Sequence, residues 1–218
     1  MSSKRARKDM YYLNIAEAVA SKSTCLRRCY GAVIVKDDEI ISTGYNGAPR
    51  GCPNCDECGC FRELIGVMKG DAYNLCMSVH AEQNAIISAR RRDMIGATLY
   101  IVGINSPHIE AECGMHYADP SPCLLCHRMI INAGIARVVG LVEASMNSEA
   151  VITDLDVSVD TFIRKVQNEY RRVVDSLDSA PHTEDEAAVI AKARILIEQR
   201  ELLLKGETAE CNDQSTSN

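Results

Sequence analysis

The sequence has no apolar run long enough to cross a bilayer, which takes about 20 consecutive apolar residues. It also lacks the uncharged apolar segment and small-residue cleavage site of a secretory signal, because its basic first residues run directly into the amphipathic stretch 11–17. We therefore expect no membrane partner and predict a cytoplasmic protein. In that compartment the 11 cysteines are expected to be reduced or metal-bound rather than paired in disulfides.

Positive charge is also scarce, since 24 lysines and arginines stand against 30 acidic residues and leave a formal net charge of −6. An acidic chain does not present the broad basic surface with which proteins bind nucleic-acid phosphates. One basic cluster lies at residues 4–8, and we interpret it as a solvated arm. We therefore expect no stable nucleic-acid partner.

The 218 residues suffice for one substantial core, and they contain no internal repeat. After about residue 147 the pattern becomes helical and amphipathic, at 159–177 and again from a capping box at Thr183–Glu186 to about residue 205. We predict three parts: a main domain over 1–147, a helical C-terminal extension over 148–205 and a disordered polar tail over 206–218.

Apolar periodicity predicts alternating helices and strands in the main domain. A helix is predicted over 8–24, then two β-branched runs at 31–35 and 39–45 that flank turn residues as in a hairpin, then a loop over 46–60. Further elements follow in the order helix, strand, helix, strand, at 79–91, 98–103, 124–133 and 137–142. This order predicts an α/β fold, a three-layer α-β-α sandwich with a mixed central sheet.

Two short motifs carry the chemistry, and each opens a predicted helix: His80-x-Glu82 and Pro122-Cys123-x-x-Cys126. One imidazole and two thiolates supply three zinc ligands and leave a fourth position for water, as in catalytic rather than structural zinc sites. Glu82 can then serve as general acid and base. Either motif alone is equally well read as a surface histidine or as buried structural cysteines, but both motifs in this order favour the catalytic interpretation.

His-x-Glu followed by Pro-Cys-x-x-Cys is typical of zinc nucleobase deaminases. Over residues 10–142 the chain resembles the deoxycytidylate (dCMP) deaminases of the cytidine deaminase-like superfamily. The resemblance rests on stretches within 25–28, 31–35, 42–51, 80–86, 96–100 and 122–135. The stretch Tyr45–Gly51 distinguishes the chain from deaminases of RNA or of free nucleosides.

This resemblance implies a cytidine deaminase-like fold and the zinc-dependent hydrolysis of dCMP to dUMP and ammonia, a step that feeds dTMP synthesis. It implies one catalytic Zn2+ on His80, Cys123 and Cys126, with Glu82 moving the protons. It also implies a homo-oligomer, a hexamer in many family members, and regulation by dCTP and dTTP.

The resemblance further implies substrate contacts from Asn46 and from the backbone of Ala81 and Ser121. Asn-Gly at 46–47 also favours a tight turn for its own sake. The residues that the resemblance suggests for nucleotide phosphate contacts are Arg27, Arg50 and Gly51, although a solvated surface position is the simpler interpretation of each arginine.

The resemblance suggests a second, structural Zn2+ on four cysteines, Cys25, Cys55, Cys60 and Cys76, with Cys52 and Cys58 as competitors. The alternative is a set of reduced, partly buried thiols. The chain departs from the commoner family pattern over 104–119, where a longer connection carries His108, Cys113 and His116.

Two other functions stay open at this point. One is a tRNA or nucleoside deaminase of the same superfamily, which the acidic composition disfavours. The other is a non-catalytic zinc or nucleotide-binding sensor, which Glu82 disfavours because a binding module needs no acid and base beside an open metal position.

Overall fold

The computed structural model describes residues 7–66, 75–106, 116–143, 149–178 and 183–204. The chain divides into two compact units, Met1–Val159 and Asp160–Asn218. In chain order the elements are α1 (Lys8–Ala20), β1 (Arg28–Lys36), β2 (Glu39–Tyr45), α2 (Cys55–Cys58), α3 (Phe61–Leu64), α4 (Ala81–Ile87), α5 (Arg91–Met94), β3 (Thr98–Asn105), β4 (Tyr117–Ala118), α6 (Leu124–Ala133), β5 (Arg137–Val142), β6 (Val151–Leu155), α7 (Val159–Asp178) and α8 (Glu184–Leu204).

The strands form one mixed sheet in the order β2-β1-β3-β5-β6, with β4 paired to β3. Strand β1 runs antiparallel to β2 and to β3, and β5 runs antiparallel to β6. Strands β3 and β5 are parallel, with Thr98 opposite Arg137. The crossover between these two parallel strands contains α6, and the predicted mixed sheet is confirmed.

Both faces of the sheet are covered, which explains the near-continuous apolar runs of its central strands. Alternate residues of a strand point to opposite faces. In β1, Ala32 and Ile34 belong to a core that also contains buried residues of α4 and α6, whereas Val33 and Val35 belong to a second core that contains buried residues of α1. The three-layer α-β-α arrangement predicted from the sequence is therefore confirmed.

Two glycines let the helices lie unusually close to the sheet. A Cβ atom added to Gly31 would lie 2.0 Å from the carbonyl oxygen of Ala16 in α1. A Cβ atom added to Gly44 would lie 2.3 Å from the carbonyl oxygen of Ala81 and 2.3 Å from the amide nitrogen of Ala85. The backbone of α4 therefore rests directly on β2, which fixes the start of α4 beside the residues that follow β2.

Several boundaries differ from the sequence prediction. Short helices α2 and α3 occupy the Cys-rich segment and the residues after it, and the helix predicted over 79–91 ends at Ile87, with α5 beginning at Arg91. Strand β6 was missed, and it lies beyond the boundary predicted at residue 147, so the first unit continues to Val159. As the last strand on its side of the sheet order, β6 has no fully buried residue, and its apolar signal is correspondingly weak.

The second unit consists mainly of α7 and α8, which agrees with the predicted C-terminal helices. Its small core contains Val174, Ile190 and Ile197. The predicted capping box is present at the start of α8, since the Thr183 N–H donates to Glu186 Oε2 at 2.8 Å and the Glu186 N–H donates to Thr183 Oγ1 at 3.4 Å. The tail predicted over 206–218 lies outside the described residues. Within the described helices, none combines the length and the apolar character needed to cross a membrane.

Candidate functional site

His80 is held at the entrance to α4 from two sides. Its backbone N–H donates to Gln83 Oε1 at 3.0 Å, which closes the first turn of the helix. The preceding residue, Val79, forms an isolated antiparallel bridge with Gly47, with N–H···O distances of 2.8 and 3.2 Å. The loop after β2 and the start of α4 are thereby tied together next to the imidazole.

The two motif cysteines lie at the start of α6. Cys123 immediately precedes the helix, and its carbonyl accepts the His127 N–H at 2.8 Å, whereas Cys126 lies in the first turn and is fully buried. The Nδ1 atom of His80 lies 3.5 Å from Cys123 Sγ and 3.3 Å from Cys126 Sγ. Within the described residues, the group of three or more possible metal ligands whose donor atoms all lie within 4.8 Å of one another is His80, Cys123 and Cys126.

The donor set fits zinc by its chemistry. Without metal, the hydrogen bond with Cys126 and the contact with His80 lower the pKa of Cys123 to about 4, while the same hydrogen bond and burial raise the pKa of Cys126. Metal binding requires both sulfurs as thiolates, and the lowered pKa of Cys123 favours the first of these deprotonations. Two thiolates and one imidazole are the ligands that zinc prefers, and three protein ligands leave a coordination position open.

Glu82 is the second residue of α4 and is only 5% exposed. Burial raises the pKa of its carboxyl group above the ordinary value. A raised pKa lies nearer to neutral pH, where a general acid and base must both donate and accept a proton. Its position two residues after His80 puts this carboxyl group beside His80, Cys123 and Cys126, which we call the metal set.

These groups lie on the wall of a cavity of about 160 Å3. The lining includes the metal ligands His80 and Cys123 together with Glu82. All three predicted substrate contacts line it too, namely Asn46, Ala81 and Ser121. The structure therefore brings the predicted metal, catalytic and substrate residues to one place, as the order of the motifs suggested.

Asn46 has a structural role that the sequence did not reveal. Its Oδ1 accepts the Tyr30 N–H at 2.6 Å, and its Nδ2 donates to the Arg28 carbonyl at 2.9 Å. Neither Asn46 nor Gly47 has a positive φ angle, so the pair does not form the tight turn that Asn-Gly favours. The carboxamide instead joins the end of β2 to the start of β1.

The predicted phosphate contacts separate in the structure. Arg27 lines the cavity, but Arg50 and Gly51 are exposed and are not among the described lining residues. The four cysteines of the predicted second metal site, Cys25, Cys55, Cys60 and Cys76, all line the cavity. No three of these cysteines have sulfur atoms that all lie within 4.8 Å of one another, as the donor atoms of His80, Cys123 and Cys126 do.

Sequence reasoning missed several residues of the cavity wall. Arg28 and Tyr30 belong to β1, Pro120 precedes the second motif, and Arg62 belongs to α3. No spacing in the sequence identifies them, because their positions depend on how β1 and α3 pack around the metal set. Of the longer connection over 104–119, residues 107–115 with His108 and Cys113 lie outside the described part of the chain.

Zinc-dependent nucleobase deaminases combine a helix-borne His-x-Glu with two cysteines at the start of a second helix. The fold and the site of this chain place it in that class. A family model described as the cytidine and deoxycytidylate deaminase zinc-binding region matches residues 6–142, and the chain belongs to that family.

Two sequence relatives agree with this assignment. The chain is 40% identical over 136 residues to the deoxycytidylate deaminase of Mycobacterium phage D29, which covers 60% of this chain and 91% of the phage protein. It is 36% identical over 140 residues to the deoxycytidylate deaminase of Schizosaccharomyces pombe, and the aligned residues are 64% of this chain but only 38% of the yeast protein. The crystal structure of a dCMP deaminase from cyanophage S-TIM5 matches 61% of this chain and 80% of that chain at 25% identity, with a TM-score of 0.40.

Proposed function

We propose that the protein hydrolyses dCMP to dUMP and ammonia and so supplies the precursor of dTMP. The observation that carries this proposal is the buried Glu82 carboxyl group beside the His80, Cys123 and Cys126 set, with Glu82, His80 and Cys123 on the wall of one cavity. The phage relative that the chain matches over 91% of its length is a deoxycytidylate deaminase. This similarity favours a cytosine nucleotide over the other nucleobase substrates that a zinc deaminase site could accept.

When bound by His80, Cys123 and Cys126, zinc acidifies water and so supplies a nucleophile at neutral pH. Glu82 takes the proton from the attacking water and delivers it to N3 of the cytosine ring as oxygen bonds to C4. Glu82 next takes the proton from the new C4 hydroxyl group and delivers it to the exocyclic amino group. The C4–N bond breaks, ammonia leaves, and the uracil carbonyl forms. The raised pKa of Glu82 suits both transfers, because the carboxyl group must lose and regain a proton in each turnover.

The substrate is held by groups on the cavity wall. Asn46 makes two hydrogen bonds to β1, one through Oδ1 and one through Nδ2. An amide oxygen has a second lone pair and an amide nitrogen has a second hydrogen, and these contact the sugar. The backbone of Ala81 and of Ser121 holds the base edge. The Ser121 N–H already donates to Asp119 Oδ1 at 2.9 Å, so its carbonyl is the group left for the base.

A second, structural zinc on Cys25, Cys55, Cys60 and Cys76 forms part of the proposal. All four residues line the same cavity, and the charges of the other three contribute to raising the pKa of Cys55, mainly raised by burial, to about 11. Four thiolates would close a tetrahedron without an open position. Metal analysis tests this: two zinc ions per chain support the site, and one zinc ion that is lost with Cys126→Ser contradicts it.

We also propose a homo-oligomer, a hexamer, whose activity responds to dCTP and dTTP through the loop that contains Arg50 and Gly51. The support is the resemblance of this loop to the family and the exposure of both residues. Light scattering of the purified protein and initial rates with each triphosphate test the two parts separately.

Ammonia release by the zinc-loaded protein tests the main proposal, with dCMP, deoxycytidine, dCTP and a tRNA anticodon hairpin assayed in parallel. Glu82→Gln should lower dCMP turnover by about 100- to 10,000-fold, the usual contribution of a general acid and base. Zinc content and dUMP binding should be unchanged. The exposed Glu39 lies outside the cavity lining, and Glu39→Gln should behave like the parent protein.

The other outcomes point elsewhere. Turnover of the hairpin or of deoxycytidine in place of dCMP would identify a different deaminase of this family. Nucleotide binding without turnover of any of the four compounds would identify a sensor. Full activity in Glu82→Gln would refute the proton transfers described here.

A further inference from the structure

The segment that leads from β4 into the second motif is held against the sheet. Pro120 is fully buried, and a Cβ atom added to Gly140 of β5 would lie 2.7 Å from Pro120 Cγ, so the proline ring packs directly on that strand. The next residue, Ser121, donates its backbone N–H to Asp119 Oδ1 at 2.9 Å. Both Pro120 and Ser121 line the cavity. The position of the Ser121 backbone therefore depends on how Asp119 and Pro120 are held.

Tyr30 reaches this segment from two strands away. In the register of the sheet, Tyr30 of β1 lies opposite Gly103 of β3, and Gly103 lies opposite Ala118 of β4. A Cβ atom added to Gly103 would lie 2.4 Å from Tyr30 Cε1, so the ring passes directly over this glycine. Beyond it, the Tyr30 hydroxyl group donates to the carbonyl oxygen of Asp119 at 2.9 Å. Because a side chain at position 103 would block this path, the glycine allows the tyrosine to bridge from β1 to Asp119.

The backbone of Tyr30 is joined to another of the proposed substrate contacts. Its N–H donates to Asn46 Oδ1 at 2.6 Å, and its carbonyl accepts the Asn46 N–H at 3.2 Å. Tyr30 itself lines the cavity, together with Asn46 and Ser121. One residue thus connects the proposed sugar contact, through its backbone, with the proposed base contact, through its hydroxyl group.

We propose that Tyr30 is a positioning residue for base recognition. By holding the Asp119 carbonyl, its hydroxyl group places the Ser121 carbonyl to accept a hydrogen bond from the exocyclic amino group of cytosine. This inference rests on the proposed function and deepens it. Cytosine carries a hydrogen-bond donor on C4, whereas uracil carries an acceptor there. A backbone carbonyl can only accept, so a correctly placed Ser121 carbonyl favours the cytosine substrate over the uracil product.

The test removes the tyrosine hydroxyl group and keeps the ring, in Tyr30→Phe. The matched control is Tyr117→Phe, because the Tyr117 hydroxyl group also makes a hydrogen bond, to Glu17 Oε2 at 3.3 Å, but its side chain packs on the other face of the sheet and lies outside the cavity lining. Kinetics with dCMP give kcat and KM. Calorimetric binding of dCMP and of dUMP is measured with Glu82→Gln added to each variant, so that dCMP is not consumed.

Tyr30→Phe should lower kcat/KM for dCMP by about 10- to 100-fold, because a misplacement of about 1 Å at a reacting centre can cost about 100-fold. It should weaken dCMP binding by about 3- to 10-fold, as expected for the loss of one hydrogen bond. Binding of dUMP should stay within about twofold, since uracil has no hydrogen on its C4 substituent to donate. Zinc content and melting temperature should match those of Tyr117→Phe, whereas a purely structural role would weaken both ligands alike.

Asp119 provides a second test of the same route. Asp119→Ala should reproduce the selective loss of dCMP binding, because it removes the acceptor of the Ser121 N–H. Asp119→Asn should restore dCMP binding, since a carboxamide oxygen can accept the same hydrogen bond. Equal losses in the two variants would show that the charge of Asp119 matters rather than this hydrogen bond, and would overturn the route through Asp119.

The outcomes separate this inference from the proposed function. If dCMP is deaminated but Tyr30→Phe behaves like Tyr117→Phe, the positioning role is wrong and the deaminase stands. If the unaltered protein deaminates no compound but Tyr30→Phe weakens the binding of dCMP and not of dUMP, the positioning role stands and the proposed reaction is wrong. Equal weakening of dCMP and dUMP binding by Tyr30→Phe would overturn the positioning role directly.

Discussion

Replacement of Asn46 by alanine should destabilise the first unit at the start of β1. The Asn46 side chain is 7% exposed, accepts the Tyr30 N–H at 2.6 Å and donates to the Arg28 carbonyl at 2.9 Å. Alanine leaves both backbone groups without these partners. An unsatisfied buried donor or acceptor costs about 1–3 kcal/mol. Two such groups would cost about 2–6 kcal/mol. Arg28 and Tyr30 are only half-buried, so we expect a loss at the low end of that range, about 2–3 kcal/mol.

The measurement must report on this part of the chain, because a protein with two compact units need not unfold in a single transition. Amide hydrogen exchange at Tyr30 gives the local free energy of opening, and a thermal melt of the zinc-loaded protein gives the global effect. Asn132→Ala is the control, since Asn132 is exposed near the end of α6.

The result also distinguishes two roles for this residue. If Asn46→Ala leaves the protection of Tyr30 and the melting temperature equal to those of Asn132→Ala, the two hydrogen bonds are not structural and the reasoning is refuted. A loss of dCMP turnover under those conditions would make substrate contact the main role of Asn46.

Two further substitutions test the packing and electrostatics of the first unit. Gly44→Ala should cost more than about 3 kcal/mol and lower the zinc content, because its Cβ would lie 2.3 Å from backbone atoms of α4. Gly47→Ala is the control, since a Cβ there meets no atom closer than Thr24 Oγ1 at 3.5 Å, and equal melting temperatures of the two variants would contradict this reasoning. Asp9 accepts hydrogen bonds from Tyr100 at 2.8 Å and from Arg137 at 2.9 and 3.1 Å, and the Arg137 bonds lower its pKa. Its contribution is thus present above the unfolded pKa of about 3.9 and lost as the pH falls through the lower folded pKa. Asp9→Asn should therefore cost about 1 kcal/mol at pH 7 and less below about pH 4 in urea unfolding, with Asp93→Asn as control; a pH-independent difference would refute the ion-pair reasoning.

The grouping of His80, Cys123 and Cys126, with Glu82 beside them, could be predicted from the sequence because local spacing specifies each pair. His80 and Glu82 are two residues apart at a helix start. Cys123 immediately precedes another helix and Cys126 lies in its first turn, so the spacing within each pair is set locally. The alternation of apolar residues in β1 likewise fixes its two buried faces. The layered fold follows from that pattern, because each face must be covered.

Other features depended on contacts between distant parts of the chain. Strand β6 carries too weak an apolar signal to be recognised without β5 beside it. Asn46 reads as a turn residue or a substrate contact, and only the neighbouring β1 backbone shows that it also joins two strands.

The arginines show most clearly that the sequence alone does not predict which side chains line the cavity. Arg50 lies in the loop that most resembles the family, yet it is exposed, whereas Arg62 belongs to no motif and is buried in the cavity. Sequence alone determined the metal-binding residues and the layered fold, because both arise from spacing along one helix or strand. Tertiary structure decided which arginines line the cavity, because the position of a guanidinium group depends on how separate elements pack around it.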